Sequence, residues 1–316
     1  MFFEVAGITV PIWIPPLVAF IISFFTSMAG ISGAFILLPF QMSVLGFTGP
    51  AVSATNQVYN IISIPSGVLR YIHEGRMVWS LTWLVVIGTL PGVFIGAFLR
   101  VKYLPDPTSF KIFAGFVLLY ICIRIFNDLF KKKHTDQDDP EKIFHQLIRN
   151  FNPVLSPSAE KEFPKVFVKK FNLKQMTYEF YGESYSVPTI KIFIISCFVG
   201  IVAGAYGIGG GAIMAPIFIA LFGLPVYTVA GATLMATFVT SIASVAFYYF
   251  LDYTYPGVNA RPDWLLGLLF GAGGVCGMYL GARSQKFIPA RVIKWILGIS
   301  ILFLSLKYIS EIFKLI

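Results

Sequence analysis

Eight apolar runs fill most of this 316-residue chain, at about 12–47, 51–72, 79–99, 109–130, 189–222, 227–251, 264–284 and 291–314. About 20 apolar residues take a helix across the hydrocarbon of a bilayer, so six of the runs fit one crossing each. The first and fifth are too long for one helix and tight for two. Each has a glycine break at its centre, Ala29-Gly30-Ile31-Ser32-Gly33 in one and Gly207-Ile208-Gly209-Gly210-Gly211 in the other, with Pro39 and Pro216 following. Glycine and proline oppose a continuous helix. The predicted form is helix, irregular turn, helix: a hairpin that is re-entrant or built of two short spans. Composition agrees, with 57% hydrophobic and 12% charged residues against about 45–50% and roughly a quarter in soluble domains. That apolar surface cannot be hidden from water, which excludes a soluble enzyme.

Charge is unevenly placed. Of 39 charged residues, 18 lie between Lys131 and Pro188. The net charge of +9 does not indicate nucleic-acid binding, because outside that segment the basic residues are spread over short polar gaps, where they set orientation in the bilayer. No basic residue precedes Arg70, so the first run lacks the start of a cleaved signal peptide and is expected to be retained. Cys122, Cys197 and Cys276 lie inside apolar runs at unrelated spacings, which reads as packing rather than a metal or disulfide framework.

The two broken runs are related. At an offset of 177, Gly30, Ile31, Gly33, Ile36, Pro39, Gly46 and Val52 meet Gly207, Ile208, Gly210, Ile213, Pro216, Gly223 and Val229. Further on the offset becomes 185, and Trp79, Gly88, Gly92, Gly96 and Ala97 meet Trp264, Gly273, Gly277, Gly281 and Ala282. The fold class expected is therefore all-α: a polytopic membrane protein of two tandem repeats, each a glycine-broken hairpin plus three transmembrane helices. The first repeat is residues 1–130, the polar linker or small cap 131–188, and the second repeat 189–316. Lys131-Lys132-Lys133 points to a cytoplasmic linker. The gap at 282–294, with Arg283, Lys286, Arg291 and Lys294 and no acid, then falls on the same side, following the positive-inside trend. This makes the repeats inverted in the plasma (cell, inner) membrane, with both termini outside. The basic 100–111 loop, with Arg100, Lys102 and Lys111, counts against that orientation, and single crossings of runs one and five would make the repeats parallel. Within the linker, 141–148 has helical apolar spacing, and 177–187 alternates around Gly182-Glu183, a hairpin signal.

Chemistry concentrates at the breaks. Non-helical backbone survives in hydrocarbon only where protein or a water-filled cavity satisfies it. The N-terminal end of each second half-helix offers unpaired N–H groups and the positive end of a dipole. Two such ends facing each other would hold an anion without a buried Lys or Arg. Gly30, Gly33, Gly207, Gly209, Gly210 and Gly211 are the candidate backbone donors, and Ser32 is an extra hydroxyl. The next element of each repeat supplies Thr55, Asn56, Gln57 and Asn60 in one and Thr233, Thr237, Thr240 and Ser241 in the other. From these Asn56, Gln57, Thr233 and Thr237 join the candidate site, although interhelical hydrogen bonding competes as their role. Gly88, Gly92, Gly96, Gly273, Gly277 and Gly281, four apart, read as helix-packing residues. No Asp or Glu lies near the middle of a run, which argues against a carboxylate proton relay. Arg124 is read as the deepest cation, and His73 as a surface residue. No cofactor or metal is called for, and no nucleophile–base pair supports an enzyme.

Where Gly207-Ile208-Gly209-Gly210-Gly211 leads into Pro216 and then Gly231-Ala232-Thr233, the chain resembles the TauE/SafE sulfite-exporter family, also called the toluene-sulfonate-uptake permease superfamily. The resemblance covers both repeats and leaves out the linker. The glycine motif is complete in the second repeat and reduced in the first to Gly30-Ile31-Ser32-Gly33-Ala34 with Pro39. The resemblance implies transport of small sulfur anions such as sulfite, sulfonates or sulfoacetate, by alternating access between the repeats. The partners expected are that anion and the lipid bilayer, with no nucleic acid; a homo-oligomer is compatible with the sequence. An anion channel or uniporter is the alternative within transport, and a membrane receptor or scaffold acting through the linker is the alternative outside it.

Overall fold

The computed structural model describes residues 1–130, 166–180, 183–285, 287–288 and 290–310. The expected helix at 141–148 lies outside them. Among the described residues ten helices follow in order: α1 Ile14–Met28, α2 Ala34–Ser43, α3 Pro50–His73, α4 Trp79–Lys102, α5 Pro107–Phe130, α6 Thr189–Tyr206, α7 Met214–Phe222, α8 Val226–Thr254, α9 Trp264–Ser284 and α10 Ala290–Ser310. Five of the described helices, α4, α5, α6, α8 and α9, are long and apolar enough to cross a membrane. Helix α3 has the length, 24 residues, but its buried Thr55, Asn56, Gln57 and Asn60 dilute its apolar character. The prolines do not end the helices they follow: Pro39 lies inside α2, and Pro216 sits in the first turn of α7, where its missing N–H costs nothing.

Five short strands complete the described chain. Strands β1 (Phe2–Phe3) and β2 (Ile8–Thr9) pair at the N-terminus. In the linker, β3 (Phe167–Phe171), β4 (Met176–Phe180) and β5 (Glu183–Val187) form an antiparallel sheet in that order. Phe180 pairs with Glu183, so Glu183 belongs to the sheet rather than to a turn centred on Gly182-Glu183, as read from the sequence. Residues 181–182 lie outside the described ones. The sheet is tied to the helices: Val166 N donates to Gly75 O over 3.1 Å, and the Tyr178 and Thr228 hydroxyls bond at 3.0 Å. We call the face carrying this sheet the cap face.

Small residues set the closest packing. Gly273, Gly277 and Gly281 of α9 lie against Pro16, Phe20 and Phe24 of α1, in the same order along both helices. Gly88, Gly92 and Gly96 of α4 meet Phe193, Cys197 and Ile201 of α6 in the same way. Both pairs are therefore parallel, with backbone on backbone, as small residues at intervals of four allow. Helix α9 also runs parallel to α3, because Gly267 lies on Val58, Gly271 on Ile62 and Gly274 on Ser63. Helix α8 runs antiparallel to α3, since Asn60 bonds Ser241 while Tyr71 packs on Gly231. Helices α1, α3 and α9 thus point to the cap face, and α4, α6 and α8 point away from it.

Two expectations about cations change. Helix α4 runs to Lys102, so Arg100 is helical rather than part of a loop. Its side chain is fully buried, whereas Arg124 is only partly covered, its Nε donating to Tyr120 Oη. The three cysteines are free thiols.

A Cβ on Gly92 would overlap the Cys197 carbonyl and stand 2.7 Å from Ile201 N. Overpacking costs about 1–3 kcal/mol even where side chains can yield, and here the neighbour is backbone. Gly92→Leu is expected to lower the Tm in detergent by 10 °C or more, or to abolish monodisperse elution. Ile95→Leu, at a position exposed on the same helix, is expected to leave both unchanged.

Candidate functional site

The first break, residues 29–33, and the second, residues 207–213, end their leading helices in different ways. Gly207 closes α6 with φ +84°, a left-handed cap that favours glycine. Its N–H and that of Ile208 both reach Ala203 O, at 2.9 and 3.1 Å. In the first break, Ala29 and Ile31 N–H both reach Thr26 O and Gly30 N–H reaches Ser27 O, at 3.0–3.1 Å. The breaks' own donors thus occupy Thr26 O, Ser27 O and Ala203 O, while Met28 O, Gly204 O and Tyr206 O take side-chain donors from other helices or their caps.

The following helices begin without that closure. Neither α2 nor α7 has a side-chain cap at its N-cap residue, Gly33 or Ile213. Ser32 Oγ accepts from Ala34 N at 3.2 Å, and Gly210 N donates to Thr240 Oγ1 at 2.9 Å. Gly33 N–H faces the Tyr59 hydroxyl, and among the described residues the N–H groups of Ser32, Gly209 and Gly211 have no acceptor. Donors left open beside occupied acceptors make a site for negative charge.

Asn60, at the middle of α3, joins the two breaks. Its Oδ1 accepts from the Ser32 hydroxyl in a short bond. Its Nδ2 donates to Ile208 O at 3.1 Å and lies 3.2 Å from Ser241 Oγ. Ser241 in turn donates to Gln57 Oε1 at 2.7 Å, which leaves Gln57 Nε2 buried and without a partner. The elements flanking the breaks touch across the two halves as well. Tyr206 Oη donates to Phe35 O at 3.3 Å, Gly207 rests on Ser53, and Gly30 rests on Ala230. Near this site the described residues carry no ion pair, and they contain no group of three or more His, Cys, Asp or Glu side chains able to hold a metal.

The sequence-derived candidates divide into two groups. Ser32 and Gln57 join Asn60 directly or through Ser241, while Gly33 lies on Tyr59 and Ser23, Gly209 on Thr237 and Ser241, Gly210 on Thr89 and Thr240, and Gly211 on Thr233 and Thr237. The others are supports in this conformation. Thr233 directs its hydroxyl to Val229 O and to Gly30 O, both at 3.0 Å, and Thr237 directs its own to Thr233 O at 2.8 Å. A hydroxyl that donates to its own helix offers lone pairs rather than a proton, which is how Thr240 receives Gly210. Asn56 faces α2, donating to Ala34 O at 3.1 Å and accepting from Gln41 Nε2 at 2.7 Å. Asn60 and Ser241 were visible in the sequence only as polar residues in apolar runs; that one bridges both breaks depends on the antiparallel crossing of α3 and α8.

An ionic latch closes the cap face. Glu74 pairs with Arg70 at 2.7 Å and with Arg76. Arg76 Nη1 donates to Gln285 Oε1 at 2.8 Å, and Gln285 Nε2 donates to Met28 O at 2.6 Å. The turn between α3 and α4 is thereby fastened to the ends of α1 and α9.

A multi-pass helical protein with non-helical backbone enclosed between its helices belongs, as a class, with the membrane transporters. The family described as Sulfite exporter TauE/SafE matches residues 16–308, and the chain belongs to that family. It is 22% identical over 292 residues to "Probable membrane transporter protein YunE" of Bacillus subtilis (strain 168), covering 90% of this chain and 92% of that one. A second relative, "Probable membrane transporter protein YdhB" of the same organism, is 26% identical over 114 residues, 36% of this chain and 43% of that one. No solved structure matches the chain significantly.

Asn60→Ala strands the Ser32 hydroxyl and the Ile208 carbonyl. An orphaned buried polar group costs about 1–3 kcal/mol, so the variant is expected to unfold at lower temperature by several degrees. Asn56→Ala is expected to loosen α2 without disconnecting the two breaks. Hydrogen exchange in nanodiscs separates the cases: only Asn60→Ala should raise exchange at both 29–33 and 207–213.

Proposed function

We propose that this protein carries small sulfur-containing anions, of the sulfite, sulfonate or sulfoacetate class, across the plasma membrane by alternating access. The observation that carries this reading is the set of open N–H donors at Ser32, Gly209 and Gly211 beside the unpartnered Gln57 Nε2. Donors of this kind surround an oxyanion with partial positive charge and leave no buried cation uncompensated when the anion departs. The family supplies the substrate class.

The transport unit is two inverted repeats, α1–α5 and α6–α10. Support comes from helix direction: α1 opposes α6, α3 opposes α8 and α4 opposes α9. In this reading the hairpins α1–α2 and α6–α7 enter from opposite faces and meet at Asn60, while the cap lies in the cytoplasm. Proton coupling through a buried carboxylate has no residue at the breaks to support it, so the gradient requirement decides between coupled transport and uniport.

Two measurements test this. Gly210→Leu would drive a side chain into Thr89 and Val93, and is expected to reduce labelled sulfite flux in proteoliposomes at least tenfold while the protein still elutes as a single species. Wild-type flux in that variant would remove the breaks from the pathway. Substituted-cysteine labelling in cells is expected to find both termini on the face opposite the cap; finding them on the cap side would defeat the inverted arrangement.

A further inference from the structure

Arg100 is the one fully buried side chain among the described residues whose charge meets no hydrogen-bond partner: Nε, Nη1 and Nη2 all lack one. A guanidinium carries five donors in a planar fork, and burying it without compensation is strongly unfavourable. Its environment is partly prepared. The guanidinium carbon lies 3.6 Å from the centroid of the Phe110 ring, a favourable cation–π contact, but an aromatic face accepts none of the five N–H groups. Asp106, at the turn into α5, acts on it only at a distance.

The residues around Arg100 lead to the second break. Phe110 packs on Tyr206 with centroids 6.1 Å apart, and Tyr206 immediately precedes Gly207. Tyr248, which acts electrostatically on Arg100, donates to Gly204 O at 3.4 Å and adjoins Ser53, which bears on Gly207. Arg100 therefore stands between the face opposite the cap and the open donors of the second break. On the cap face the matching position, 185 residues on, is Gln285, a neutral amide engaged on both atoms by Arg76 and Met28.

We infer that Arg100 is a second anion-binding site, at which a sulfur oxyanion is held by the guanidinium fork as it passes between the face opposite the cap and the paired breaks. Two oxygens of a sulfite or sulfonate match that fork in bidentate geometry, which a single ammonium does not reproduce. The inference rests on the transport reading above and adds to it a residue outside the breaks.

The test is labelled sulfite uptake in liposomes of zwitterionic lipid, where no anionic headgroup competes for the guanidinium. Arg100→Gln is expected to raise the half-saturating sulfite concentration at least tenfold with maximal rate and Tm little changed, and Arg100→Lys to fall in between. Half-saturation within twofold of wild type in Arg100→Gln overturns the inference. Gly210→Leu distinguishes the two readings: if it abolishes flux while Arg100→Gln leaves half-saturation alone, the breaks stand and the Arg100 site falls. With the opposite pattern the Arg100 site stands and the breaks leave the pathway. Should neither Arg100 variant fold, 15N-arginine-labelled wild type in nanodiscs is titrated with sulfite, the Arg76 signal being identified with Arg76→Lys. A shift in a second water-protected guanidinium resonance is expected, and none would overturn the inference.

Discussion

Backbone that leaves the helix inside hydrocarbon must find partners within the protein, and the other features of this molecule follow from meeting that demand twice. The polar stripes of α3 and α8 exist where the breaks need them. Asn60 answers Ser32 and Ile208 together, Thr240 answers Gly210, and Thr233 reaches across to Gly30 O. Thr240 donates to its own helix and uses a lone pair outward, so helix α8 keeps its continuity while it supports a neighbour that has lost its own. What remains unanswered is one-sided: the leading helices are closed and the following ones are open.

That asymmetry gives a chain with so little charge in its membrane-spanning part a means of meeting the proposed anion. Fixed N–H dipoles need no counter-ion when the site is empty, so they add no desolvation cost of the kind a buried lysine would bring. The ionised groups are kept at the ends. Near the cap, Glu74 sits between Arg70 and Arg76 and the charges compensate one another. Towards the opposite face, Arg100 is left without compensation.

Much of this was legible in the chain itself. The glycine clusters at 29–33 and 207–211 mark the breaks because helix propensity fails there within runs too long for one helix, and the glycines four apart mark the close seams. The alternation at 177–187 gave a hairpin, with Glu183 assigned to its turn although it pairs with Phe180 in the sheet. Strands β1, β2 and β3 are too short or too polar to stand out. Arg100 was misplaced for a physical reason: the apolar run stops near residue 99, but α4 continues to Lys102 and turns the guanidinium inward under Phe110. The centrality of Asn60 could not be read locally, because it depends on which way α8 crosses α3.

The glycine seams of α1 with α9 and of α4 with α6 join a helix from the first half of the chain to one from the second. Because these contacts are backbone against backbone over several turns, neither half is a mechanical body of its own. Any rearrangement that keeps the seams shut must carry one helix from each half together, so the natural gliding plane is the polar crossing of α3 and α8. The two halves are woven rather than hinged, and Asn60 ties the weave where they cross.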